Sequence, residues 1–72
     1  MCMIICAPFA GIVRFVVEVG DTVAAGDTLA IVETVKLEAP VIAPGPGVVT
    51  SRLLDDFADV YGGDRILELG KA

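Results

Sequence analysis

The sequence predicts an all-β fold, a flattened barrel or sandwich of two small antiparallel sheets related by a quasi-twofold internal repeat. Three observations carry that expectation. Short apolar and β-branched runs are separated by Gly, Pro and Asp turn signals every six to ten residues, the pattern of a small all-strand protein. No stretch offers a capped, amphipathic helix of ordinary length. The two halves also repeat: Ala7-Pro8-Phe9-Ala10-Gly11-Ile12-Val13 aligns with Ala43-Pro44-Gly45-Pro46-Gly47-Val48-Val49 at an offset of 36. Val23, Gly26-Asp27 and Leu29 align with Val60, Gly63-Asp64 and Ile66 at an offset of 37, so one residue is inserted between the blocks. Gly20-Asp21 has no counterpart, because Phe57-Ala58 stands in its place. A repeat this short implies two halves that bury their apolar faces only against each other.

The elements follow in order. Met3-Ile4-Ile5-Cys6 reads as a strand stopped by Ala7-Pro8, since proline cannot donate to a ladder. Ile12 to Val17 is a second strand, rich in β-branched and aromatic residues. Gly20-Asp21 and Gly26-Asp27 mark turns that leave space only for a very short strand at Thr22-Val23. Leu29 to Val32 is the next strand, Val41-Ile42 follows the central polar segment, and Val48 to Leu54 comes after a Pro- and Gly-rich turn. Leu53 to Tyr61 is expected to be a loop, because Asp55-Asp56 and the short span disfavour a helical turn. Ile66 to Leu69 closes the chain. The expected core is Ile5, Ile12, Phe15, Val17, Val23, Leu29, Ile31, Val41, Val48, Leu53, Val60, Ile66 and Leu69.

Composition narrows the function. Seventy-two residues leave room for one domain, spanning 1–72. A chain of this size buries only about 60–65% of the surface its unfolded form exposes, so its 56% hydrophobic content must supply the core. The net charge of −5 disfavours nucleic acid and anionic membrane surfaces as partners. There is no histidine, and Cys2 and Cys6 complete no metal-ligand set, so no metal is expected. On an extended segment the two cysteines lie too far apart to bridge, and buried or half-buried thiols in a reducing cytoplasm are expected. The apolar opening lacks a basic n-region and is broken by Pro8, so it reads neither as a signal peptide nor as a membrane span. A soluble, cytoplasmic protein is the expectation.

The chain leaves its apolar pattern at Val32 and resumes it near Val41, and between them lies Glu33-Thr34-Val35-Lys36-Leu37-Glu38. Lys36 falls midway and is the only lysine in the body of the chain, since Lys71 is next to the last residue. If the flanking runs pair as antiparallel neighbours, Lys36 sits at a hairpin tip. A type I′ turn needs positive φ at both central residues, which disfavours β-branched Val35. The tip is then either strained by about 1–3 kcal/mol or not type I′. Glu33 and Glu38 read as recognition carboxylates or as ordinary solvated charges. Val35 and Leu37 form an exposed apolar patch unless one folds back onto the core. Arg14 and Arg52 are placed to pair with acidic neighbours for little stability. Gly11, Gly20, Gly26, Gly47 and Gly63 are most simply turn formers.

These residues resemble the biotinyl/lipoyl attachment domain, and most closely the biotin carboxyl carrier domain, over roughly residues 4 to 69. That family carries a lysine at a hairpin tip, usually in Glu-Ala-Met-Lys-Met-Glu, followed by Ala-Pro-x-x-Gly-x-Val. Glu33, Lys36, Glu38 and the segment Ala43 to Val49 match, whereas Thr34 replaces alanine and Val35 and Leu37 replace both methionines. Lipoyl domains, with Glu-Thr-Asp-Lys-Ala, share Glu33-Thr34-x-Lys36. Glycine-cleavage carriers, with Glu-Ser-Val-Lys-Ala, share Val35-Lys36 but are longer.

The resemblance implies biotin on Lys36 through an amide, with Val35 and Leu37 beside the cofactor and Glu33 and Glu38 read by a biotin-protein ligase. Lipoate, as in 2-oxoacid dehydrogenase or glycine-cleavage systems, is the alternative. An exposed alkylammonium is a poor nucleophile at neutral pH, so the ligase must supply an activated acyl group. The implied carrier takes CO2 as carboxybiotin from a biotin carboxylase to a carboxyltransferase, in an acyl-CoA carboxylase of the acetyl-CoA and fatty acid metabolism type. A tether keeps such a carrier at high effective concentration near both sites. The implied role is that of a carrier with no active site of its own.

Overall fold

The computed structural model describes residues 3–71, and among them every regular element is a β-strand. The strands are β1 (Met3–Cys6), β2 (Gly11–Phe15), β3 (Thr22–Val23), β4 (Thr28–Glu33), β5 (Glu38–Ile42), β6 (Gly47–Arg52), β7 (Asp59–Val60) and β8 (Arg65–Gly70). They form two four-stranded antiparallel sheets, ordered β1-β8-β6-β3 and β5-β4-β2-β7, as a flattened sandwich. The bounds of β1 and β3, at Met3–Cys6 and Thr22–Val23, agree with the sequence reading, whereas β2 ends at Phe15, two residues before the expected Val17. The expected loop from Leu53 to Tyr61 contains a two-residue strand, β7, which pairs with Gly11 and Ile12. The repeat aligns Val60 with Val23 of β3, the same short strand in the first half.

Replacing each strand of the first half by its repeat mate (β1 by β5, β2 by β6, β3 by β7, β4 by β8, and the converse) turns one sheet order into the other. Each sheet therefore takes two strands from each half, and neither half builds a sheet alone. The correspondence extends to irregularities. Gly26 N–H donates to Ala43 O (2.9 Å) and Ala43 N–H to Asp27 O (2.8 Å); in the other half Gly63 N–H donates to Ala7 O (2.9 Å) and Ala7 N–H to Asp64 O (2.8 Å). These reciprocal bonds lock each Gly-Asp turn to the Ala-Pro segment of the opposite half. The carboxylates of Asp27 and Asp64 cap their own turns, accepting from the amides of Ala24 (2.8 Å) and Tyr61 (2.9 Å). The β-bulge that shifts register between Thr28 and Ala30 opposite β5 recurs in β8 opposite β1.

The core holds Ile5, Val13, Val23, Leu29, Ala30, Val32, Val41, Val49, Val60, Ile66, Leu67 and Leu69. Seven of the expected residues are among them: Ile5, Val23, Leu29, Val41, Val60, Ile66 and Leu69. Ile12 and Leu53 are instead exposed, Ile31 and Val48 are half-buried, and Phe15 and Val17 pack on the margin of the core. The error is one of parity. Alternate residues of a strand face opposite sides, so Arg14 carries Ile12 outward with it, and its cross-strand partner Ile31 follows. Val13 and its partner Val32 then point inward. In β6, Thr50 and Arg52 likewise draw Val48 to the outer face and leave Val49 in the core. Cys6 is exposed rather than buried or half-buried, because it follows inward-facing Ile5 on the edge strand β1; Cys2 lies outside the described residues. No helix among the described residues is long and apolar enough to cross a membrane.

Phe57 occupies the place of Gly20 in the repeat and adopts its backbone conformation, with φ of 63° against 98° for Gly20. The two turns bond alike: Gly20 N–H donates to Val49 O (2.8 Å) and Phe57 N–H to Val13 O (2.7 Å). A bulky side chain in this left-handed region costs about 1–2 kcal/mol, and Phe57 recovers little by packing, being 69% exposed.

Two outcomes follow for stability. Leu29→Ala should lower the unfolding free energy by about 2–5 kcal/mol, and Ile12→Ala by less than about 1 kcal/mol, when both are measured by urea denaturation. Phe57→Gly should leave the protein unchanged or more stable, by up to about 1 kcal/mol after the added freedom of the unfolded chain is counted. A loss of stability on that substitution would show that the Phe57 ring packs more than its exposure indicates.

Candidate functional site

The β4–β5 hairpin joins the two halves of the chain. Its register runs Ile31 to Pro40, Val32 to Ala39 and Glu33 to Glu38, leaving Thr34 to Leu37 as the tip. Thr34 N–H donates to Leu37 O at 2.7 Å, and Thr34 Oγ1 accepts from the amides of Leu37 (2.9 Å) and Lys36 (3.2 Å). Neither Val35 nor Lys36 has positive φ, which excludes turn types I′, II and II′. Of the two possibilities the sequence left open, the turn is therefore not type I′, and β-branched Val35 sits in it without backbone strain.

Lys36 is exposed, and the ion pairs among the described residues are formed by Arg14 and Arg52 instead. Val35 is fully exposed and Leu37 is 61% exposed, so neither folds back onto the core. Apolar groups thus flank the amine on both sides. Glu33 and Glu38 face each other across the ladder, an arrangement that repels. Glu33 is drawn away by Arg14, whose Nη2 lies 3.5 Å from its Oε1 across the outer face of the sheet, while Glu38 is exposed. Because Ile12 pairs with both Glu33 and Asp59, the row Glu38, Glu33, Ile12, Asp59 lies on one face. An open groove of about 760 Å³ runs beside the hairpin, between Ala10-Gly11-Ile12, Glu33-Thr34-Val35 and Asp59-Val60-Tyr61. Among the described residues no cluster of His, Cys, Asp or Glu is placed to hold a metal ion.

The root of the hairpin is fixed by a close approach. A Cβ added to Gly11 would lie 2.5 Å from Glu33 O and 3.0 Å from Val32 Cγ1. At the repeat-related Gly47, a Cβ would lie 2.7 Å from Gly70 O. The glycine of each Ala-Pro-x-x-Gly segment therefore lets its strand pass against the carbonyl that ends the neighbouring strand. β1 runs from Met3, paired with Leu69, to Cys6, and one short turn delivers the chain to Gly11 beside Glu33. The Met3–Leu69 end of the β1–β8 pair therefore points away from the hairpin tip.

A family profile described as biotin-requiring enzyme, for biotinyl and lipoyl attachment, matches residues 1–69. The chain belongs to that family. As a biotinyl/lipoyl attachment domain it resembles solved carboxylases over nearly its whole length. It is 25% identical to part of a single-chain, multi-domain long-chain acyl-CoA carboxylase, with a TM-score of 0.89 over 99% of this chain and 7% of that one. It is 30% identical to part of the urea carboxylase of Kluyveromyces lactis, with a TM-score of 0.86 over 96% of this chain and 6% of that one. An ectoine utilization protein of Ruegeria pomeroyi has the same fold, with 24% identity and a TM-score of 0.82 over 96% of this chain and 22% of that one. The domain thus spans a small fraction of each of these proteins. No curated protein matches the chain significantly.

The sequence reading brought Lys36, Val35, Leu37, Glu33 and Glu38 into one hairpin, and the structure places them there. It did not single out Thr34 as the tip's hydrogen-bond acceptor, nor Asp59 and Tyr61 as walls of the groove. Thr34 was the more legible of these, since a Thr opening a four-residue tip is a recurrent side-chain acceptor for the amides that follow. Gly11→Ala should force β2 and the end of β4 apart, costing about 1–3 kcal/mol and shifting the backbone amide resonances of Glu33 and Thr34. Unshifted resonances with unchanged stability would show that the strands yield at no cost.

Proposed function

We propose that the domain is a biotin carboxyl carrier, biotinylated on Lys36 and serving a carboxylase of the acyl-CoA type. The observation that carries this reading is the position of Lys36: an exposed amine, flanked by exposed Val35 and Leu37, at a hairpin tip that points away from the Met3–Leu69 end of the sandwich. Family membership and the likeness to carboxylases support biotin as the group. When bound, biotin supplies a ring nitrogen that accepts and releases a carboxyl group.

The chain's own residues perform presentation. The β4–β5 ladder holds Lys36 clear of the body, so the acylating ligase reaches Nζ without unfolding a strand. Acylation removes the lysine charge and leaves the acidic row of Glu33, Glu38 and Asp59 around the arm. In this reading Glu33 and Glu38 are surfaces for the biotin-protein ligase. The biotin carboxylase and the carboxyltransferase are transient partners, steered by charge rather than held by area. Catalysis of both half-reactions belongs to those partners.

The Glu33-Thr34-x-Lys36 segment also fits a lipoyl domain, and one measurement separates the two. Intact mass of the chain, purified from cells that contain both cofactors and both ligases, should show one biotinyl increment, lost in Lys36→Arg. A lipoyl increment would reassign the cofactor, and an increment that survives Lys36→Arg would reassign the site. Reconstitution with the partner subunits should then support carboxylation of acyl-CoA and not of urea.

A further inference from the structure

We propose that the Thr34 hydroxyl is the positioning group of the site, holding the lysine turn in the one shape that the acylating ligase binds. The inference deepens the carrier reading above and rests on it. The tip has few other restraints. Val35 is fully exposed and Leu37 mostly so, and neither side chain packs the loop down. The ladder ends at Glu33 and Glu38, two carboxylates placed opposite each other, with Arg14 on Glu33 offsetting part of their repulsion, so electrostatics at the root add little to closure. The absence of positive φ at Val35 and Lys36 rules out the tight turns whose twist matches a hairpin.

One backbone bond and one side chain close the tip. Thr34 Oγ1 accepts from the Leu37 amide at 2.9 Å and from the Lys36 amide at 3.2 Å, while the Thr34 amide donates to Leu37 O at 2.7 Å. Thr34 therefore satisfies the amide of the reactive lysine itself and that of the residue after it. Side-chain acceptors of this kind substitute for a backbone carbonyl and define a turn. The direction in which Lys36 leaves the hairpin follows from that turn, because the lysine amide is one of the two donors fixed.

The consequence is a particular kinetic signature. If the ligase binds only the closed tip, opening lowers the competent fraction and weakens apparent binding in proportion. Turnover of the bound complex is untouched, because the bound tip is closed whichever residue stands at 34. Loss of one acceptor shared by two exposed amides should raise the KM of the domain roughly five- to tenfold.

The test uses the full chain with a biotin-protein ligase, biotin and ATP, and follows modification by intact mass. Thr34→Val removes the acceptor and keeps the branch, Thr34→Ala removes both, and Thr34→Ser keeps the hydroxyl. The expected result is a raised KM with unchanged kcat for the first two, near wild-type behaviour for Thr34→Ser, and unchanged melting midpoints. Amide hydrogen exchange at Lys36 and Leu37 should quicken in Thr34→Val and Thr34→Ala only. Equal exchange and equal KM in all four proteins would overturn the proposal, as would a loss confined to kcat or a Thr34→Ser variant as impaired as Thr34→Val. A wild-type chain that no biotin ligase modifies removes the carrier reading itself, whereas a modified wild type with indifferent variants removes only the role of Thr34.

Discussion

The structure depends on the interleaving of its two halves. Each sheet pairs strands from both, as β8 and β6 of the second half lie between β1 and β3 of the first. A half removed from its mate would lose its central neighbours and expose Leu29 or Ile66 to water. The reciprocal bonds between the Gly-Asp turns and the Ala-Pro segments tie the same two halves at the corners. Burial in so small a domain is marginal, so this mutual clamp carries much of what holds the two halves together. Most contacts are consequently distant in sequence, which favours slow, cooperative formation over hairpin-by-hairpin assembly.

This clamp also explains which parts of the fold the sequence reveals. The repeat is a property of spacing, so the turns at Gly26-Asp27 and Gly63-Asp64 are visible as matched motifs; Gly11 and Gly47, expected as turn formers, instead open β2 and β6 and serve a close approach that only the paired strands reveal. Which of two adjacent apolar residues faces inward is less visible, because Ile12-Val13 and Val48-Val49 look alike until strand parity is taken from a charged neighbour. Arg14 and Arg52 carry that information. β7 was obscured for a different reason: two residues are too few for any periodicity, and only the match of Val60 to Val23 marked the strand.

The site divides in the same way. Lys36 was legible because hydrophobic runs bracket it symmetrically, and the ladder of β4 and β5 puts it at the tip. Arg14 was expected to pair with an acidic neighbour and does, but that its partner is Glu33, and that a groove lies by Tyr61, were not legible, since both depend on which strands become neighbours across a sheet. Thr34 lies between these cases. Its contacts are local, but whether its hydroxyl or its backbone carbonyl closes the turn is decided by backbone angles that Val35 restricts and does not fix.

A hairpin that must keep Val35 and Leu37 in water at the margin of a sheet also risks pairing with another chain, for β5 is an edge strand. Two features oppose that outcome. Pro40 sits in the middle of β5 and offers no N–H to an added strand, and Glu38 places a carboxylate at the strand's start. The neighbouring Glu33 and Asp59 extend that negative field over the same end of the sheet, so two copies meeting tip to tip bring like charges together. Apolar exposure beside Lys36 is thus compatible with solubility because the surrounding backbone and charges are unsuited to self-association. A partner with complementary charge meets no such barrier, and the same arrangement that keeps the tip from its own kind leaves it open to others.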